Sequence, residues 1–340
     1  MKKLTIAVVV FAAATFVGAQ APEPTGLIVG SGNFFSPIVS DLDKAIAFYR
    51  DGLGLDVQGA PANADQNPAL RNMFGLPDAQ LRWTVGRPAP MRTGVEIVEI
   101  KKAEGKPLER RMQDPGAFTL VVLVRDIETV VERLKKIGAP VMTTGGVPVP
   151  VPLGGASGRG IVVKDPDGHF VEIVQLPPAG DAPPPGTPNI TAVRVRLTVD
   201  DAGKAMRQYQ QLGLAATMNV IFDRSEPVMK LFGLKPDAQF RVATMDVPTS
   251  GLRFELIEFK GVDRRTVTGN IQDPGSTRMQ LQVRDVDATI EALKSAGGAV
   301  VSSGGSTVEL PGRGGATTKV AIVRDPNNLF LVLLQAPPRS

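Results

Sequence analysis

The chain has no cysteine, one histidine, one tryptophan and two tyrosines among 340 residues. Without cysteine there can be no disulfide, no lipid-anchored lipoprotein, no thiol nucleophile and no thiolate metal site, so stability must come from packing. With His169 as its only imidazole, the chain cannot build a Ser/His/Asp triad on any other histidine, and no serine stands in a G-x-S-x-G elbow. An excess of one charge is also lacking. The 38 basic and 34 acidic residues leave +4, too little to suggest nucleic-acid or membrane binding, and no basic stretch alternates with aromatics. The apolar run from Leu4 to about Val17 falls short of the roughly 20 residues that span a bilayer. With Lys2 and Lys3 before it and Val17 and Ala19 at its end, it reads as a secretory signal peptide over 1–19, cleaved after Ala19. The mature protein is therefore expected in a periplasm or outside the cell.

A hydrophobic content of 43% at this length allows sizeable cores and favours two domains. A search for internal repeats explains why there are two. "RNMFGLPDAQLRW" (Arg71 to Trp83) returns as "MKLFGLKPDAQFRV" (Met229 to Val242), and "VVKDPDGHFVEIVQLPP" (Val162 to Pro178) returns as "IVRDPNNLFLVLLQAPP" (Ile322 to Pro338). The offset is 159 residues from Asp126 to Asp285 and 160 from Asp165 to Asp325. Copy one (27–176) and copy two (191–337) are joined by a proline-rich linker over 177–190 with the composition of a semi-rigid spacer. Each copy is itself doubled in pattern. Leu42, Ala45, Ile46, Tyr49 and Leu53 in "VSDLDKAIAFYRDGLGL" match Ile127, Val130, Val131, Leu134 and Ile137 in "VRDIETVVERLKKIGAP" as one face of a helix, with Gly54 and Gly138 as stops. The unit reads strand, helix, then about three strands, and it occurs four times.

A chain of four βαβββ modules, with "SDLDKAIAFYRDGLGL" opening a copy and "DPDGHFVEIVQL" closing it, resembles the vicinal oxygen chelate superfamily. That superfamily includes glyoxalase I, bleomycin and fosfomycin resistance proteins, extradiol dioxygenases and methylmalonyl-CoA epimerase. The resemblance runs from Leu27 to Gln335 and implies an α+β fold: two tandem domains, each a pair of modules curling a mixed sheet into a cup. It also implies where a metal would sit, on one residue from each first strand and one from each last strand. Counted back from the helix starts, these positions fall on Phe34, Thr119, Glu96 and Glu172 in copy one and on Arg194, Arg278, Glu255 and Val332 in copy two. Half the ligand set is missing in copy one and at least three of four in copy two. Divalent transition metals favour imidazole and thiolate donors, which this chain hardly has.

Strand alternation sorts the candidates further. Phe170, Glu172 and Val174 share one face while His169, Val171 and Ile173 share the other, so His169 reads as a polar residue after an Asp-Gly turn, and Asp165 and Asp167 belong to that turn. Glu96 and Glu172 are expected to face one apolar cup beside Phe34, Ile38, Val121 and Leu123. There they would act as an acid and base pair or hold a hard ion with water, or else each pairs with an arginine such as Arg82. In copy two Arg194, Arg196, Arg253, Glu255, Arg278 and Gln280 are expected to line the other cup. That lining suits a carboxylate or phosphate ligand, unless Arg194 or Arg278 simply neutralises Glu255. Arg159 and Arg313, in glycine-rich hairpin lips, could also reach a ligand. The favoured expectation is an exported protein, monomer or homodimer, that binds a small anionic or aromatic molecule without cofactor. The alternatives are a glyoxalase- or dioxygenase-type enzyme with an altered divalent metal centre at Glu96 and Glu172, and a scaffold.

Overall fold

The computed structural model describes residues 26–336 apart from 65–66, 90, 154–155, 178–183, 185 and 312–315. The leader, most of the linker and Arg313 lie outside the described residues. Module one comprises β1 (Ile28–Ser31), β2 (Ser36–Val39), α1 (Leu42–Ile46), β3 (Asp56–Val57), β4 (Ala62–Asn63), α2 (Pro68–Met73), β5 (Gln80–Arg87) and β6 (Val95–Lys101). Module two has β7 (Phe118–Val124), α3 (Ile127–Lys136), β8 (Val149–Leu153), β9 (Ala156–Lys164) and β10 (Phe170–Gln175). Module three has β11 (Ile190–Thr198), α4 (Ala202–Gln211), β12 (Ala216–Met218), α5 (Glu226–Leu231), β13 (Gln239–Asp246) and β14 (Arg253–Lys260). Module four has β15 (Thr277–Val283), α6 (Val286–Ser295), β16 (Ala299–Val300), β17 (Val308–Pro311), β18 (Thr317–Arg324) and β19 (Phe330–Gln335).

All four long helices start in the same way. Asp41, Asp126, Asp201 and Asp285 are N-caps whose carboxylates accept backbone N–H bonds from the first turn. Gly54 and Gly138 close α1 and α3 at φ +83° and +70°, which a Cβ would oppose. After Ile46 the first helix widens into a π-helical stretch over Ala47–Gly52, a departure from the regular helix its spacing predicts. The wider turn buries the adjacent Phe48 and Tyr49 together; in α4 the matching pair is Gln208 and Tyr209, and the helix stays regular.

The expected α+β fold of paired modules and curled mixed sheets is present, but each sheet crosses the linker. One sheet runs β16-β18-β19-β15-β2-β6-β5-β3 and joins module four to module one, with β15 antiparallel to both β1 and β2. The other runs β12-β13-β14-β11-β7-β10-β9-β8 and joins module three to module two through seven antiparallel pairs from Ile190↔Val124 to Leu197↔Phe118. The segments 27–176 and 191–337 are thus units of the repeat, while each sheet draws one module from each. The helix-facing sides of both sheets and all four long helices share one core, including Leu42, Val131, Ala205, Ile290 and the stacked Phe35 and Phe118. Each cup face has its own apolar cluster.

The turn before the last strand of each copy locks the copies' first helices in place. Tyr49 donates to Asp165 (3.0 Å) and Tyr209 to Asp325 (2.7 Å) inside the protein. In copy one His169 joins this lock, with Nδ1 2.8 Å from Asp165 and Nε2 3.0 Å from the Ser276 carbonyl. Both ring nitrogens face acceptors, an arrangement that favours the doubly protonated ring. Burial pushes its pKa down, but Asp165, the Ser276 carbonyl and Asp167 outweigh this and hold it above the usual value of 6.5. A raised folded-state pKa contributes stability that is complete below about 6.5 and lost as pH rises through the folded value. The stability gap between the wild type and His169→Gln in denaturant titrations should therefore be wider near about pH 6 than near about pH 9. An equal gap at both would mean that folding leaves the ring's pKa unshifted, and a narrower gap near about pH 6 that the ring is held neutral.

Candidate functional site

The pairing of modules redistributes the candidate residues. Glu96 and Glu172 do not face one cup, as expected from the sequence, because β6 lies in one sheet and β10 in the other. The expected copy-two cup is divided in the same way. Glu96 meets Arg278 and Gln280 in the first cup, formed by modules one and four. Glu172 meets Arg194, Arg196 and Glu255 in the second, formed by modules two and three. Alternation along each strand assigned these side chains to cup faces, and that assignment stands.

In the first cup, Glu96 Oε2 accepts from Arg278 (2.9 Å), Gln280 Nε2 (2.9 Å) and Ser36 Oγ (3.4 Å). Gln280 is oriented by the Asn33 N–H, which donates to its Oε1 at 2.9 Å. Arg278 is 1% exposed, the ring of Phe74 lies 4.5 Å from its guanidinium carbon, and its Nε has no partner. Burial lowers its pKa, with Glu96 opposing the shift. Above this polar floor lies a cavity of 190 Å³ walled by Leu70, Met73, Phe74, Trp83, Leu310 and Val332 among others. The repeated "FGL" stretch supplies the lid, because α2 ends at Met73 and turns Phe74 over the arginine.

The second cup has the same ingredients, with apolar side chains buried against its ion pairs. Phe232, which follows α5, lies over Arg196 at 5.6 Å, and Met229, Leu231, Phe232 and Phe240 are buried on that face with Phe170. Arg196 bonds Glu172 through Nη1 and Glu255 through Nε (2.9 Å) and Nη2 (2.8 Å). Arg194 adds a longer contact to Glu255 (3.4 Å). Burial raises the pKa of Glu172, and the charge of Glu255 adds to this against Arg196. For Glu255 burial also works upward, but Arg196 and Arg194 outweigh it, and its pKa lies below the usual value. The two cups are built around the same seam, with Arg278 opposite Ser36 and Arg196 opposite Thr119 across the antiparallel first strands.

The remaining candidates lie outside the two polar clusters. Arg253, at the start of β14 beside Arg194, pairs with Asp246 at 3.1 Å, and its charge adds to those that lower the pKa of Glu255. Arg82 and Lys101 pair with Glu99, so Arg82 is the partner of neither candidate glutamate. Arg159 pairs with Glu128 at 2.6 Å. Phe34 and Thr119 are buried without a role in either polar cluster. Sequence reasoning missed Ser36, Phe74 and Trp83; for Phe74 the signal was present in the repeated motif.

These positions do not fit a divalent ion. In the first sheet Glu96, Arg278 and Val332 face the cup while Phe34, expected there, packs into the helix-side core, so these positions offer one carboxylate, already held by a guanidinium. In the second, Thr119, Glu172, Arg194 and Glu255 offer two that share Arg196. A cation there would displace or face an arginine. Among the described residues no three His, Cys, Asp or Glu side chains gather as a metal site.

Fold and cups together define a tandem-domain protein of the vicinal oxygen chelate fold. Residues 33–173 match the family described as the Glyoxalase/Bleomycin resistance protein/Dioxygenase superfamily. Among solved structures the chain is similar to glyoxalase I from Zea mays, at 20% identity and a TM-score of 0.57 over 89% of this chain and 92% of that one. It is also similar to a putative dioxygenase from Bacillus subtilis subsp. subtilis str. 168, at 13% identity and a TM-score of 0.53 over 92% and 87%. No curated protein matches the chain. At these identities the likeness extends to the fold and not to the chemistry.

Proposed function

We propose that the protein is exported and that its first cup binds, without a metal, one small apolar or aromatic molecule whose acceptor group meets Arg278 and Gln280. The observation that carries this reading is the 190 Å³ cavity with apolar walls and a buried arginine at its base that has an unused Nε–H. The volume is near that of a cavity of about 150 Å³ that takes up benzene, so a single ring is the appropriate size. The second cup reads as a structural ion-pair cluster, because its arginines are engaged by glutamates and Phe232 lies over Arg196. Catalysis of a glyoxalase or dioxygenase kind is not favoured: the Glu96 and Glu172 pair it relied on is divided between two sheets, and each carboxylate is held by an arginine. Each cup is completed by modules of a single chain, which supports a working monomer. Neither nucleic acid nor a membrane has a part in this reading once the leader is removed; among the described residues no helix is long and apolar enough to cross a bilayer.

Trp83 lines the cavity and is the only tryptophan, so its emission reports on this site alone. Titration of the exported protein, purified without chelator, with benzoate and with toluene should give saturable changes. Arg278→Met should weaken benzoate about tenfold, or ~1.4 kcal/mol, and leave toluene nearly unaffected. Val332→Phe should abolish both by filling the space. Elemental mass spectrometry on the same material tests metal independence. Near-stoichiometric metal, or a Trp83 signal indifferent to both ligands, would overturn the proposal.

A further inference from the structure

Where the two copies differ without the fold requiring it, the difference is informative. In the segment after β6 and the turn before β10, copy one carries Arg110 and Asp167, while the matching positions of copy two are Gly269 and Asn327. Asn327 is satisfied there, donating to Gln208 (3.2 Å) and to Asp325 (3.0 Å). Asp167 is not. Its Oδ1 accepts from the Ser40 N–H at 3.1 Å, and its buried Oδ2 has no partner.

Arg110 is in a similar condition. Its Nη groups donate to the carbonyls of Gly275 (3.4 Å) and Val267 (3.1 Å), and its buried Nε has no partner. No described carboxylate lies within 4.0 Å of its guanidinium, nor within 4.0 Å of the ammonium of Lys164, which rests 5.0 Å from the Phe170 ring centroid. Burial lowers the pKa of both, that of Arg110 to about 10. The three side chains line one cleft of 620 Å³. Gly275 ties the parts together: Arg110 bonds its carbonyl, and the Asp167 carbonyl packs so close that a Cβ on Gly275 would come within 3.3 Å of it. The other charged side chains on the cleft are Glu109, which is exposed, and Arg111 and Arg265, both occupied by Asp114. The cleft shares no residue with the cavity of the first cup or with the ion-pair cluster of the second.

We propose that this cleft is a second ligand site, for a small hydroxylated anion whose carboxylate or phosphate is held by Arg110 and Lys164 and whose hydroxyl donates to Asp167. Two partly buried cations with no carboxylate in direct contact and one carboxylate oxygen without a donor are complementary to such a molecule. Charge-assisted bonds from a guanidinium to an oxyanion are the strong kind.

Calorimetric titration of the full exported protein with glycerol 3-phosphate, glycerate, inorganic phosphate and glycerol tests the assignment. The hydroxylated anions should bind more tightly than phosphate, and glycerol should not bind. Lys164→Gln and Arg110→Gln should each weaken glycerol 3-phosphate about tenfold. Asp167→Asn, the residue copy two carries at this place, should remove the advantage of glycerol 3-phosphate over phosphate while keeping phosphate binding. None of these ligands should alter Trp83 emission, which separates failure here from failure of the first-cup reading. Absence of binding in the wild type, or binding unchanged in the lysine and arginine variants, would overturn the proposal. Because Lys164 is partly exposed, its variant tests the site even if Arg110→Gln folds poorly.

Discussion

Replacing Arg196 with methionine is expected to cost roughly 3–5 kcal/mol of folding stability, read by equilibrium denaturant unfolding and far-UV circular dichroism. Domains have only about 5–15 kcal/mol in total, so this is a large fraction. The size follows from what remains. Glu172 and Glu255 are 3% and 1% exposed, and without Arg196 the first has no cationic partner while the second keeps only the 3.4 Å contact to Arg194. A buried carboxylate without a partner must stay charged at high cost or take up a proton. The deficit should therefore shrink as pH falls. Glu172 already has a folded-state pKa above its ordinary value, the protonated form is the one folding favours, and acid supplies that proton. Changing Glu172 and Glu255 to leucine in the Arg196→Met background should recover most of the loss, because an apolar replacement of a whole buried cluster is often neutral or better. A loss below about 1 kcal/mol in the single variant would mean that water reaches the cluster. Arg278→Met should cost less than Arg196→Met, since Glu96 is 16% exposed to its cavity and retains Gln280 and Ser36.

What could be read from the chain and what could not divide along sequence separation. The helix starts at Asp41, Asp126, Asp201 and Asp285 and the stops at Gly54 and Gly138 are local devices, and their fourfold recurrence revealed the modules. The faces of β6, β10, β11, β14 and β15 followed from alternation, so Glu96, Glu172, Arg196, Glu255, Arg278 and Gln280 were all assigned to a cup. Which cup was not legible. Within any module the pattern is the same whether its first strand pairs with the neighbouring module or with one across the linker. The contact that decides, such as Asn33 to Gln280, spans 247 residues. The same limit hid the role of His169, whose second acceptor is the Ser276 carbonyl 107 residues away. Ser36 carries no motif and Trp83 only ends a repeated stretch whose other copy has Val242 there, and only the crossed pairing brings them to Arg278.

Expressed separately, copy one (27–176) and copy two (191–337) should each fail to give a folded monomer, and mixing or co-expressing them should restore one complex that contains both. The argument is geometric. Cutting at the linker opens both seams at once, freeing β7 from its seven pairs with β11 and the β1–β2 segment from β15. Each half would then expose two strand edges in the middle of what should be continuous sheets, the arrangement that invites self-association. It would also divide the central core, in which Leu120 and Val122 of one half and Val195 and Leu197 of the other are at most 1% exposed. Contacts between the π-helical stretch after α1 and α3 within copy one, such as Gly52 against Leu134, hold helices together and replace neither seam. The expected loss is the whole folding free energy of the monomeric half. Light scattering after size exclusion gives the mass of each species, and near-UV circular dichroism reports whether its aromatic side chains are fixed. A half that is monomeric, unfolds cooperatively and shows a native-like near-UV spectrum would refute the crossed pairing. In the restored complex Trp83 should regain its native emission, because the floor beneath it needs Glu96 from one half and Arg278 from the other.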